Sequence, residues 1–190
     1  MDVTVFVLGA VVLAALLYGV LLYNNLVNLK HGVAKAWSNI DVLLKQRHDE
    51  LPKLVEVCRQ YMRFEQETLE RVIQARADVS QARGRGDVGQ LGAAESELRL
   101  GLGNLFAVAE DYPDLKADQT FQHLQHRISS LENGIADRRE YYNESVNLNN
   151  VRIQQFPDVI VARLFAFRPF ELLEFSETEI RDVDVKALFG

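Results

Sequence analysis

The sequence predicts an all-α protein: an amino-terminal single transmembrane helix followed by an elongated antiparallel helical bundle with long coiled-coil-like helices. Three observations predict it. An uncharged apolar run opens the chain, apolar residues then recur every three or four positions, and one glycine-rich stretch gives the clearest turn signal. At 48% hydrophobic and 25% charged the composition is ordinary globular usage, so the arrangement of residues decides the class.

The first element is "VTVFVLGAVVLAALLYGVLLY", residues 3–23, with no charge between Asp2 and Lys30. As a helix rising 1.5 Å per residue it covers a hydrocarbon core of roughly 30 Å. Residues 1–23 are therefore expected to be an anchor in the lipid bilayer. A cleaved signal peptide needs a basic leader and a shorter apolar run, whereas only Met1 and Asp2 precede this one. Lys30 and Lys35 follow the span closely, Lys45 and Arg47 slightly farther, and no cation precedes it, which predicts a cytoplasmic carboxy-terminal domain. Tyr18 and Tyr23 suit the headgroup layer at its inner end.

Residues 24–175 are expected to form the bundle. Leu26, Leu29, Val33, Ala36, Ile40, Leu43 and Leu44 make one helical stripe, which resumes at Leu51, Leu54, Val55, Cys58 and beyond to Val79. Pro52 interrupts it. Its ring clashes with the carbonyl of His48 and removes one backbone hydrogen bond; with no Gly or Asn beside it, a kink is expected, with a break as the alternative. An unbroken helix would run to about Ala82. "RGRGDVGQLG", residues 83–92, ends it, and a second helix is expected from about Ala93 to Glu110. Gly101 and Gly103 inside that helix point to close approach of a neighbour. After Pro113 a long third helix is expected to Ile153, with Phe121, Leu124, Ile128, Leu131, Ile135, Tyr142 and Val146 at coiled-coil-like steps. A short helix then covers Asp158 to Phe165, with Pro157 at its start. Four phenylalanines between Phe165 and Phe175 need a docking surface, and residues 176–190 form an acidic tail.

The net charge of -6 lies mostly in the end of the chain, where residues 171–190 carry six acids against Arg181 and Lys186. No basic stripe tracks a phosphate backbone, so no nucleic-acid partner is expected. The cations after the span also fall short of a polybasic lipid-recognition cluster.

Trp37, Ile40 and Leu44 share a side, which makes Trp37 a core residue, and Asp41 is placed to pair with Lys45 at i+4. His48, Asp49 and Glu50 are consecutive and point about 100° apart, so they cannot make an acid-base site by themselves; Asp49 is instead a candidate acceptor for an amide freed by Pro52. His123 and His126 share a helix face but are two ligands where zinc needs three or four. Cys58 on an apolar face reads as a small hydrophobe. Glu65, Arg138 and Asn149 interrupt apolar stripes and are expected to fix register through paired hydrogen bonds, Glu65 with Arg138 or a neighbouring arginine, with a polar pocket in the bundle as the alternative. No catalytic, cofactor-binding or metal-binding residue is assigned, and no enzyme is expected.

"YNNLVNLKHGVAKAWSNIDVLLKQRHDELPKLVEVCRQYMRFE" and "RREYYNESVNLNNVRIQQFPDVIVARLFAFRPFELLEF" resemble the signature segments of the LemA family, from the anchor to about Phe175. The specific parts are Tyr23-Asn24, Ala36-Trp37-Ser38 to Asp41, Leu51-Pro52 with Leu54-Val55, Tyr142-Asn143 and Phe156-Pro157. The resemblance implies a bacterial inner-membrane protein with one amino-terminal span and a cytoplasmic antiparallel helical domain. It implies no established enzymatic activity, and membrane organisation in one branch. The chain departs from the family at Glu50, Lys53 and Phe64, so a metal role for the family histidine before the later glutamate does not transfer. The expected function is a membrane-anchored scaffold or interaction module with protein partners. The alternatives are a membrane-organising protein that self-assembles through its long helices, and, behind it, a metal-binding or enzymatic bundle.

Overall fold

In the computed structural model, which describes residues 3–174, every regular element is a helix. The expected acidic tail at 176–190 and Phe175 lie outside the described residues. Six helices follow in order: α1 (Val3–Tyr61), α2 (Gln66–Arg85), α3 (Val88–Ala109), α4 (Pro113–Ala117), α5 (Gln119–Arg152) and α6 (Asp158–Leu164). Helices α1 and α5 each contribute to two compact units.

Of the described residues, unit 2 holds 39–139 and 172–174. Its α1 portion meets α2 at Asp41–Arg83 and His48–Arg76, and meets α5 at Leu43–Gly134, Arg47–Glu132 and, at the residue before its first turn, Tyr61–Asp118. In each series one number rises as the other falls, so both neighbours run antiparallel to α1. Helix α3 returns along α2, with Val72 Cγ2 only 3.5 Å from where a side chain at Gly101 would begin. The interior of this up-down arrangement is aliphatic: Ile40, Leu44, Leu54, Val72, Leu98 and Ile128 are all buried.

Pro52 does not end α1, which continues through it to Tyr61. A proline leaves a carbonyl one turn earlier without its helical partner. That carbonyl belongs to His48, and Arg76 Nε donates to it at 3.0 Å. The freed group is thus an acceptor satisfied from α2, not an amide satisfied by Asp49. The chain instead turns at residues 62–65, so the expected helix to Ala82 is two helices. No Gly, Pro or Asn marks that turn, which is closed by the Glu65 N–H to the Met62 carbonyl at 3.4 Å.

The glycine-rich stretch does hold the next connection, but a shorter one than expected. Gly86 adopts the left-handed conformation at φ 68°, and its N–H bonds back into the end of α2. Asp87 then caps α3 by accepting from the Gln90 N–H at 2.9 Å, so α3 starts at Val88, five residues before the expected Ala93. Gly89 and Gly92 are consequently helical. A Cβ at Gly92 would lie 1.9 Å from the Glu174 carbonyl oxygen, which makes this glycine the seat of the segment carrying buried Leu173. Gly101 has the expected close neighbour; Gly103 has none within 4 Å. The expected third helix is also divided, because Asp118 is extended and its carboxylate caps α5 through the Phe121 N–H at 2.9 Å.

Unit 1 holds residues 1–38 and 140–171. Leu26 of α1, Ile153 of the α5 end and Ala162 of α6 form a buried cluster flanked by Leu29, Val161 and Phe167. The Trp37 and Tyr142 rings meet at 5.3 Å, tilted by 58°, and with Leu26 beside Ile153 this shows α5 running antiparallel to α1 here too; Trp37 is half-buried where the sequence suggested core. Helix α6 ends in a Schellman-type turn: Phe167 N–H reaches the Ala162 carbonyl at 2.9 Å and Ala166 takes φ 52°.

Candidate functional site

Buried polar residues in unit 2 are the first place to seek chemistry. Arg47 is 1% exposed, and its two terminal nitrogens donate to Glu95 Oε1 at 2.5 Å and Glu132 Oε1 at 2.7 Å. Burial works against the guanidinium charge, but the two carboxylates more than offset it and hold the pKa of Arg47 above its usual value. Arg47 therefore joins α1, α3 and α5 as a fixed cation. Sequence reading treated it as a flanking charge, because the stripe seemed to lapse there.

The "AWSNIDVLLKQRHDELP" cluster disperses in the same way. Arg83 grips Asp41 with two donors, Nη2 lying 2.9 Å from Oδ2, and this bond chiefly holds the aspartate below the usual carboxylate range. Lys45, the expected partner, adds only a lesser electrostatic pull. His48 Nε2 lies 2.7 Å from Arg76 Nη2, and burial together with that cation lowers its pKa. Glu50 accepts from Lys53 at 3.0 Å and Arg127 at 2.9 Å, Lys53 contributing most to its lowered pKa. Asp49 is exposed. The Cys58 thiol is buried and pushed up to about 12, which rules it out as a nucleophile near neutrality.

The remaining candidates also separate. Glu65 accepts from the Tyr112 hydroxyl at 3.3 Å, while Arg138 is exposed, so the expected pair between them does not form. His123 and His126 are both exposed. Among the described residues no three His, Cys, Asp or Glu side chains are grouped to hold a metal ion.

Unit 1 holds the more distinctive site. A cavity of about 520 Å3 is lined by Tyr23, Lys30, His31, Asn149 and the Phe165 to Phe170 turn. Tyr23 contacts Phe165 at 4.7 Å and Phe167 at 5.9 Å between ring centroids. The turn is held from α5: Asn150 accepts from the Phe170 N–H at 2.9 Å and donates to the Phe170 carbonyl at 2.8 Å, while Tyr142 donates to the Glu171 carbonyl at 2.9 Å. Asn149 is buried as the stripe suggested; its amide donates to Asn150 at 3.2 Å, and its carbonyl oxygen has no partner. Phe165 and Phe167 thus dock on α1 where its apolar run ends, which the sequence could not specify because Tyr23 and Phe165 are so far apart in the chain.

The fold and this site define a class: a helical-bundle protein whose first helix is long and apolar enough at its start to cross a membrane. The chain belongs to the LemA family, which it matches over residues 36–187. It is 29% identical over 167 residues to Protein LemA of Metamycoplasma hominis, covering 87% of this chain and 74% of that one. It is 23% identical over 177 residues to Magnetosome protein MamQ 2 of Paramagnetospirillum magneticum, and 24% identical over 172 residues to MamQ of Magnetospirillum gryphiswaldense. The chain spans only 64% and 63% of the length of these two magnetosome relatives.

Proposed function

We propose that the chain is a membrane-anchored interaction module, held in the bilayer by residues 3–23, with its helical domain in the cytoplasm offering a rigid surface to protein partners. One observation carries this reading. A single helix, α1, begins with side chains that water solvates poorly, Phe6 being 79% exposed and Leu16 64%, and ends in a bundle closed by its own ion pairs. The first part needs a bilayer. In the second, the buried or bridging charges Asp41, Arg47 and Glu50 are engaged by other side chains of the same chain, which suits a shape held for recognition better than a group poised for reaction. The positive flank Lys30 and Lys35 supports the cytoplasmic sidedness.

Chemical crosslinking in native membranes, followed by mass spectrometry, tests the role. Exposed Lys45, Lys53 and Lys116 should give links to one recurring foreign protein. Links mainly to a second copy of the chain would replace this reading with self-assembly. Protease added outside intact cells should leave the helical domain whole; its digestion would reverse the sidedness.

A further inference from the structure

Helix α6 carries apolar side chains that the protein does not cover. Ile160 and Leu164 are spaced by four residues and are 60% and 75% exposed, Phe165 directly after the helix is 55% exposed, and Phe156 in the turn before it is 80% exposed. Four-residue spacing puts Ile160 and Leu164 on one face of α6. The opposite face, through Ala162 and Val161, packs on Leu26 and Leu29 of α1. An amphipathic element of this kind normally buries its apolar face against something.

Its position on α1 says what that is. Tyr23, the last residue of the apolar run, touches Phe165 and Phe167, and Leu26 lies three residues further on. At 1.5 Å per residue, the α6 contacts on α1 extend from the end of the hydrocarbon span to roughly 9 Å beyond it. The headgroup layer is about 5–8 Å deep, so α6 sits at its level, and a modest tilt of α1 does not remove it. Charge agrees with this depth. Lys30 on α1 and Arg163 and Arg168 around the turn are exposed, whereas Asp158 is buried and engaged by Arg152 at 3.0 Å. The cations that are too few along the sequence are thus supplemented from α6 and its turn. Exposed aromatic and aliphatic side chains beside guanidinium and ammonium groups suit the boundary between acyl chains and lipid phosphates.

We infer that α6 and the Phe165 turn form a second membrane contact, lying in the headgroup layer of the bilayer that α1 crosses, with Ile160, Leu164 and Phe165 inserted toward the acyl chains. This rests on the anchoring reading above, and the test separates the two. Full-length protein carrying Leu164→Cys, Ile160→Cys, Leu13→Cys or Glu97→Cys is labelled with an environment-sensitive fluorophore and reconstituted in vesicles of phosphatidylethanolamine and phosphatidylglycerol. The wild-type chain, whose one cysteine is buried, serves as the blank. Lipids bearing a nitroxide near the headgroup should quench the Leu164 and Ile160 labels at least twofold more than the Glu97 label, and aqueous iodide should quench them less. A nitroxide deep in the acyl chains should quench Leu13. Quenching at Leu13 without quenching at Leu164 and Ile160 overturns the inference and leaves the anchor; no quenching at Leu13 overturns the anchor and the inference with it.

Discussion

The two units are built from opposite materials. Unit 2 is joined between helices by charges: Arg47 with Glu95 and Glu132, Asp41 with Arg83, and Glu50 with Arg127. Unit 1 is joined by rings and amides, with Tyr23 on Phe165, Trp37 on Tyr142 and Asn150 on Phe170, and it leaves a broad apolar surface uncovered. Unit 2 pairs most of its buried charge from within, with Arg47 Nε left over. The contrast suggests where each will be sensitive: unit 2 to pH and charge deletion, unit 1 to its surroundings.

Removing Arg47 should break the charged unit most severely. Arg47→Met leaves the buried Glu95 without this guanidinium, and loss of one partner from a buried ion pair costs about 3–5 kcal/mol. Denaturant unfolding of the full chain in detergent measures it. Replacing Arg47, Glu95 and Glu132 together by apolar residues should recover most of the loss, since the desolvation cost leaves with the charges. Failure of the triple variant to recover would mean that the ion pairs themselves stabilise unit 2.

Gly92→Ala should come next. Its methyl cannot coexist with the Glu174 carbonyl, so the segment bearing Leu173 must lift, exposing a leucine worth about 1.5–3 kcal/mol of burial. In a chain ending at Glu171 the same substitution should cost nothing, because Ala is the better helix former. A similar penalty in the shortened chain would disprove the packing role of Gly92.

In unit 1, Asn150→Ala removes both bonds to the Phe170 backbone and should cost about 1–2 kcal/mol. Hydrogen exchange should quicken through residues 165–170 while α3 keeps its protection. Equal acceleration in α3 would mean that the two units do not respond independently.

These sites also mark what the sequence disclosed. The stripes of α1 and α5 were legible because a helix repeats its buried face every three or four residues, and Leu26, Ile40, Leu44 and Ile128 are all buried as the period required. The turn at residues 62–65 was hidden because Met-Arg-Phe-Glu carries no left-handed or proline signal, and tertiary packing imposes the reversal. Asp118 was hidden differently: a capping aspartate is indistinguishable from a surface one until its neighbours are known. The site around Phe165 was half visible, since too many phenylalanines announced a docking surface but not its identity. Pairings such as Arg47–Glu95 were out of reach, because periodicity locates a face and leaves its cross-helix partner open.

The mildest expected effect is a pH response confined to unit 2. His48 is kept neutral by burial and by Arg76, with Arg83 and Arg47 adding to that effect and Asp49 opposing it. Its folded pKa lies below the ordinary 6.5, so as pH falls through 6.5 the unfolded chain takes up a proton that the folded chain refuses. Stability should therefore decline below about 6.5 and level off once pH passes the folded value. Asp41 and Glu50 have lowered pKa values as well, but the stability they contribute is held at higher pH and is lost progressively as pH falls from the ordinary 3.8 and 4.5 down through their folded values. The two windows are distinct. His48→Gln, which keeps an acceptor for Arg76, should abolish the upper decline in a pH series of denaturant midpoints and leave the acid limb intact. If the upper decline survives this substitution, His48 is not what sets it, and the pH sensitivity assigned to unit 2 is limited to the acid limb of its carboxylates.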